Sequence, residues 1–336
     1  MLARADADNT WLGNAAAALD KAGDREGLAR VQEQMTKINP LDEQNFVNLA
    51  HTLKELGRMD AARAVLEKLA MRAALNEDSL GRVAAGFVDL GDTDRALHLY
   101  AQAAQSDRFS RNWGALLEYA RLQTSLRDFA GAKTTLQTAF SVPANRGWDE
   151  IINWLVAADR VDQYEDELAG FGLTPSRQTD LQRALFAYFE KAGRPANALA
   201  LAESHPAIVQ PAFASRVRKL AVAARDFARG AKLLENFTAQ AESPQEYSVE
   251  LARLQGDWAQ SEVAAGQTDS ALTHLRAARE KHPELWEITS RLSALLQQRG
   301  DRLGAIETIE SFLAVGKAPA EIEQARAQLA KLRAGG

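Results

Sequence analysis

One stretch of ten residues occurs twice in the same pattern: Leu53-Lys54-Glu55-Leu56-Gly57-Arg58-Met59-Asp60-Ala61-Ala62, then Phe87-Val88-Asp89-Leu90-Gly91-Asp92-Thr93-Asp94-Arg95-Ala96. The two glycines stand 34 residues apart (91 − 57), as do Ala62 and Ala96. A period of that length marks a repeat architecture, in which a unit too small to bury its own apolar face stacks on its neighbours. A chain of 336 residues built this way needs no division into ordinary domains, because its core grows lengthwise.

The same turn recurs at Gly23, Gly57, Gly91, Arg127, Asp159, Gly193, near Asp226, at Gly266 and at Gly300, which predicts nine units. Apolar residues precede each turn at helical spacing, as in Phe46, Leu49, Ala50, Leu53 and Leu56, and follow it in the same way, as in Ala62, Val65, Leu66 and Leu69. Each unit therefore reads as two helices joined by a turn whose glycine suits a left-handed backbone. Five residues past the turn stands a small residue (Ala62, Ala96, Ala132, Ala198, Ala231, Ala271, Ala305), which lets two helices approach closely. Four further on comes a large one, such as Leu66, Tyr100, Leu136, Leu275 or Ile309, to fill the space between them.

Helix boundary signals fall in the same frame. Ser243-Pro244-Gln245-Glu246 reads as a capping box, and Thr174-Pro175 and Ala318-Pro319 place proline at a helix start. Pro40 and Pro283 close second helices.

This pattern resembles the tetratricopeptide repeat, a helix–turn–helix unit of 34 residues, from about Asn9 to about Val315. The match is closest around Gly57, Gly91, Gly266 and Gly300, with Pro283 in the closing position. It is weakest in unit five, where Asp159 and Tyr164 replace the glycine and the alanine. The expected fold is an all-α, right-handed superhelical solenoid of antiparallel helix pairs. Units one to four span 1–140 and irregular units five to seven 141–242, where loop-like stretches and a long interval before Gly266 predict altered curvature. Units eight and nine span 243–317. A capping helix follows in 318–336, carrying Ile322, Ala325, Leu329 and Leu332 on one face. The start of the chain shows no such cap, which leaves open that the array belongs to a longer protein.

Composition bears on function mainly by exclusion. The net charge of −5 comes from 40 Lys plus Arg against 45 Asp plus Glu with signs interspersed, which argues against nucleic acid or an anionic membrane as a general partner. No apolar run reaches the length of a spanning helix, so no membrane insertion is expected. The compartment reads as cytoplasmic for the sequence as given, or periplasmic if the array was cut from a longer chain. The absence of cysteine excludes disulfides, thiolate metal sites and a cysteine nucleophile.

No hydrolase, metalloprotease or phosphate-loop pattern occurs, and the histidines (His51, His98, His205, His274, His282) are scattered one to a unit. No catalytic residue, cofactor or metal site is expected. Among the tryptophans, Trp148, Trp154 and Trp258 are placed in the core, and Trp11, Trp113 and Trp286, at first-helix starts, are expected to be half covered.

The resemblance implies a non-enzymatic scaffold or adaptor whose first helices line a groove for a partner protein or peptide, in settings such as bacterial envelope, secretion or polysaccharide-export assemblies. Setting each unit on its turn, the groove residues are Gln44, Asn48, His51 and Glu55, then Asp78, Arg82, Ala85 and Asp89, then Glu118 and Arg121. Arrays of this family that grip a carboxylate tail need basic or amide residues where Gly13, Ala17 and Asp78 stand here, so that mode is rejected. A cluster of six basic residues, Arg216, Arg218, Lys219, Arg225, Arg229 and Lys232, accompanied by the single acid Asp226, reads as a solvated face or as a dock for an acidic segment, a polysaccharide or a phosphate-bearing partner. The rival readings are a helical-repeat RNA binder, a regulatory part of a larger enzyme, and a homo-oligomer stacked end to end.

Overall fold

The computed structural model describes residues 2–73, 77–106, 109–208, 213–240 and 244–334. They form helices and turns, with no strand among them. Two compact units emerge, Met1–Leu173 and Thr174–Gly336, each a stack of helix pairs.

Unit 1 contains α1 (Leu2–Ala22), α2 (Arg25–Ile38), α3 (Glu43–Glu55), α4 (Met59–Ala73), α5 (Glu77–Asp89), α6 (Thr93–Ala103), α7 (Trp113–Ser125), α8 (Phe129–Ser141), α9 (Trp148–Ala157) and α10 (Tyr164–Leu168). Unit 2 contains α11 (Pro175–Lys191), α12 (Pro195–Ser204), α13 (Ala214–Ala224), α14 (Phe227–Gln240), α15 (Gln245–Ala264), α16 (Thr268–Lys281), α17 (Trp286–Gln298), α18 (Arg302–Val315) and α19 (Pro319–Ala334). Odd-numbered helices from α1 to α17 are first helices of their pairs. In unit 1, α3, α5, α7 and α9 pack side by side in that order, and in unit 2 α13, α15 and α17 do the same.

The turns explain why the pairs form. A left-handed residue sits at Gly23, Gly57, Gly91, Arg127, Asp159, Gly193, Arg225, Gly266 and Gly300, with φ between 53° and 83°. Each donates its N–H three residues back while the next residue donates five back, as in Gly57 to Lys54 O at 2.8 Å and Arg58 to Leu53 O at 2.8 Å. This pair of bonds satisfies carbonyls left open at a helix end. In several units the residue after the turn also starts the second helix. Asp24, Asp92, Asp128, Asp226 and Asp301 accept a hydrogen bond from the backbone N–H three residues on. One short sequence, turn residue plus aspartate, ends one helix and begins the next.

The turn expected near Asp226 lies at Arg225. The small residue five positions on is therefore Gly230, not Ala231. A Cβ built on Gly230 would stand 2.3 Å from the Ala221 Cβ, so α13 and α14 meet there at a distance only glycine allows. Elsewhere the expected residues hold: Ala62, Ala96, Ala132, Ala198, Ala271 and Ala305 are completely buried, as are Leu66, Leu136 and Ile309.

Unit five departs from the pattern. Its second helix shrinks to the five residues of α10, between 3-10 turns at Val161–Gln163 and Ala169–Phe171. Neither Arg160 nor Gln163 supplies a side-chain cap. Tyr164, standing where other units have alanine, is too large for close helix packing. Buried Phe171 compensates by packing against Phe140 and Trp154, each with ring centroids 6.3 Å away. The loop after α8 is fixed by buried Asn145, whose side chain donates to Ala139 O at 3.0 Å and accepts from Gly147 N at 2.8 Å.

The long interval before Gly266 is taken up by α15, which has 20 residues against 13 in α17. Its predicted cap at Ser243 lies outside the described residues; Pro244 occupies the cap position without a side-chain bond. The last helix, α19, buries Ala325, Leu329 and Leu332 against α18 and α17. It also covers Trp286, which is only 9% exposed and donates its indole N–H to Gln324 at 2.9 Å. Trp286 is thus core, contrary to the half-covered expectation. Trp11 is 67% exposed, and Trp258 is half-buried between Phe227 and His274.

Candidate protein-binding groove

Between α1, α2, α3 and α5 lies a cavity of about 570 Å³. Helical spacing brings Asn48, His51 and Glu55 to one face of α3, Ala85 and Asp89 to the matching face of α5, and all five line it. Asp20, Arg25 and Gln32 complete the wall from the first pair. Arg25 and Gln32 escape a reading that counts first helices alone, because they belong to a second helix. The signal that could find Arg25 is its place just past the Gly23 turn.

The charges are cross-linked. Lys54 Nζ stands 2.7 Å from Asp89 Oδ1 and 2.6 Å from the Asp89 carbonyl, while His51 Nδ1 stands 3.0 Å from Asp89 Oδ2. Burial pushes the Asp89 carboxyl up, but the hydrogen bonds from Lys54 and His51 outweigh it and hold the group below the usual carboxylate range. Arg25 bridges Glu55, at 2.9 Å, and Asp20. The hydrogen bond to Asp20 leads in holding its guanidinium above the ordinary value.

The amides are less fully engaged. Exposed Gln44 donates to Asn48 Oδ1 at 2.9 Å, leaving the Asn48 amide N–H groups directed to ligand or solvent. Gln32 is 8% exposed, yet its Oε1 has no hydrogen-bond partner among the described residues. A buried acceptor without a donor costs about 1–3 kcal/mol, which a partner's N–H would recover.

The remaining groove residues stand apart from this cavity. Arg82 reaches back to Glu43 at 3.5 Å, joining α5 to α3, and Glu43 also accepts from Ser79. Arg121 pairs with Glu118 at 2.9 Å on its own helix and with Glu150 of α9 at 2.5 Å. That bond to Glu150 leads in raising the Arg121 pKa above its ordinary value. The side chain of Asp78 lies outside the described residues.

The basic cluster of unit 2 divides in two. Arg216 pairs with Glu190 and lies over the Phe213 ring at 4.2 Å. Arg218 meets Glu250 and Asp257, each at 2.7 Å. Arg229 and Lys232 share Glu203, at 3.1 and 3.0 Å. Lys219 and Arg225 are exposed, and neither has an ion-pair partner among the described residues.

Among the described residues no helix is long and apolar enough to cross a membrane, and no three His, Asp or Glu side chains converge to hold a metal ion. Helix pairs closed by left-handed turns, with small residues at the crossings and a polar face along the first helices, define a helical-repeat protein. Residues 44–74 match the tetratricopeptide repeat model.

No curated protein matches the sequence. Similar solved structures include that of Naa15/Naa10 bound to HypK-THB, at 16% identity and a TM-score of 0.36, covering 90% of this chain and 53% of that one. A tetratricopeptide repeat protein from Parabacteroides merdae is 14% identical, with a TM-score of 0.33, covering 86% and 99% of the two chains. Yeast Tom70 is 12% identical, with a TM-score of 0.32 and coverage of 97% and 89%. This chain spans about half the length of the first of these. At such identities and scores the likenesses carry no argument about what the chain binds.

Proposed function

We propose that the chain is a non-enzymatic interaction scaffold that holds a peptide segment of a partner protein in the groove between α1, α2, α3 and α5. The observation that carries this reading is the pairing of a buried, unsatisfied acceptor, Gln32 Oε1, with the available donors of Asn48 in one cavity. An extended peptide offers alternating N–H and C=O groups that match such a pair. The surrounding charges are already neutralised within the chain, so recognition is directed at backbone and polar side chains and not at a strongly charged tail. Gln44, Arg82, Glu118 and Arg121 extend the same polar face along the first helices. We read the process served as the building of bacterial envelope, secretion or export assemblies, to be identified from the partner.

The test is affinity capture from the source organism. Wild type is compared with a Gln32→Met, Asn48→Ala, His51→Ala variant and with a control carrying Glu323→Ala and Arg326→Ala on α19. A partner retained by wild type and control but lost by the groove variant supports the reading. Retention by all three contradicts it.

A further inference from the structure

The first-helix face of unit 2 is held by a relay of ion pairs. Glu287 meets Arg253 at 2.6 Å, Arg253 meets Glu250 at 2.7 Å, Arg218 joins Glu250 to Asp257, and Asp257 meets Arg291 at 3.1 Å. Burial works against the Arg218 charge, but the hydrogen bonds it donates to Glu250 and Asp257 keep its pKa above the ordinary value. The relay fastens α13, α15 and α17 together and engages Glu250, Asp257 and Glu287. Next to it opens a pocket of about 820 Å³ whose walls include Lys219, Arg225, Gln260 and Ser261. Its one acid, Asp257, is already shared between two arginines. The pocket therefore carries two uncompensated positive charges.

Arg225 adds a second observation. Its φ of 53° places a bulky residue in a conformation that six of the nine turns give to glycine. For an L-residue this conformation is strained, because Cβ crowds the following carbonyl oxygen. Arg127, in the same situation, lies over the Phe129 ring at 5.4 Å, whereas Arg225 has no ion-pair or ring partner among the described residues. Strain with no internal return is characteristic of a residue kept for an external contact.

A third feature adjoins the pocket through Gln260. Val263, Leu275, Ala294 and Leu295 line an apolar slot of about 240 Å³ between α15 and α17. Neighbouring helices are about 8–10 Å apart, so charge and slot are separated by about three residues of extended chain.

We propose that the face of α13, α15 and α17 binds an acidic peptide segment, with its carboxylates at Lys219 and Arg225 and an aliphatic side chain in the slot. This site stands independently of the groove in unit 1, and either can fail without the other.

The test uses the full chain and a fluorescein-labelled glycine–serine peptide carrying two adjacent aspartates three positions before a leucine, followed by anisotropy. Wild type binds this probe at or below millimolar concentration, and more weakly as salt rises. Lys219→Gln with Arg225→Gly weakens binding about tenfold, by removing two exposed charge contacts. Ala294→Phe, a change at an exposed position, weakens the leucine peptide but not its serine counterpart. Circular dichroism verifies that both variants fold, and Arg225→Gly relieves the turn. The proposal is overturned if wild type does not bind, if asparagine in place of the aspartates binds equally well, or if heparin binds while the peptide does not.

Discussion

At the residue scale, the turns divide into those with a glycine, which adopts the left-handed conformation freely, and three without one: Arg127, Asp159 and Arg225. Replacing Arg225 with glycine is predicted to stabilise the fold by about 0.5–1 kcal/mol, read from the midpoint of urea unfolding. Asp301→Ala removes the carboxylate that accepts from Gly304 N at 2.9 Å and is predicted to cost about 1 kcal/mol in the same assay. The turn glycines were legible in the sequence because their spacing repeats. The aspartates that follow five of the turns stand in the sequence, but their second role, starting the next helix, is visible only in the cap bond. Asp89 carries a pH prediction. Its folded-state pKa lies below the ordinary 3.8, so its contribution is present above that value and lost as pH falls through the lower one. Asp89→Asn should cost about 0.5 kcal/mol at neutral pH, an amount suited to a partly exposed pair, and the gap from wild type should close under acid.

At the element scale, close helix approach is set by one position per pair, and Gly230 shows how tight the limit is. With the Ala221 Cβ only 2.3 Å from where a side chain would begin, Gly230→Val must push α13 and α14 apart. A loss of about 2–3 kcal/mol is expected by denaturant unfolding. The sequence places this role at Ala231, because the apolar pattern around Asp226 fits either frame, whereas the turn lies at Arg225. The extra length of α15 was readable from the interval before Gly266. The collapse of the second helix of unit five was legible only as a weak match at Asp159 and Tyr164. Its replacement by 3-10 turns and buried Phe171 depends on contacts distant in sequence.

At the scale of the whole molecule, each unit builds its core between neighbouring pairs, so an end needs covering. In unit 2 that cover is α19. Deleting residues 318–336 uncovers Trp286, and its fluorescence emission should shift to the red. The loss of buried Leu329 and Leu332 removes about 2 kcal/mol each from that end. The helical-repeat architecture is legible at this scale, and a polar face along first helices follows from the repeat itself. The particular site was half legible: Asn48, His51, Glu55 and Asp89 follow from helical spacing. Gln32, whose buried oxygen faces the candidate groove, sits on a second helix and is identified only by burial.

Hydrogen–deuterium exchange on the complex of wild-type chain with its captured partner tests the central claim most directly. The account predicts that binding slows exchange in α3 and α5, with slower exchange also around Gln32, and leaves α4 and α6 unchanged. Protection confined to α4 and α6, or absent from unit 1 altogether, would contradict it.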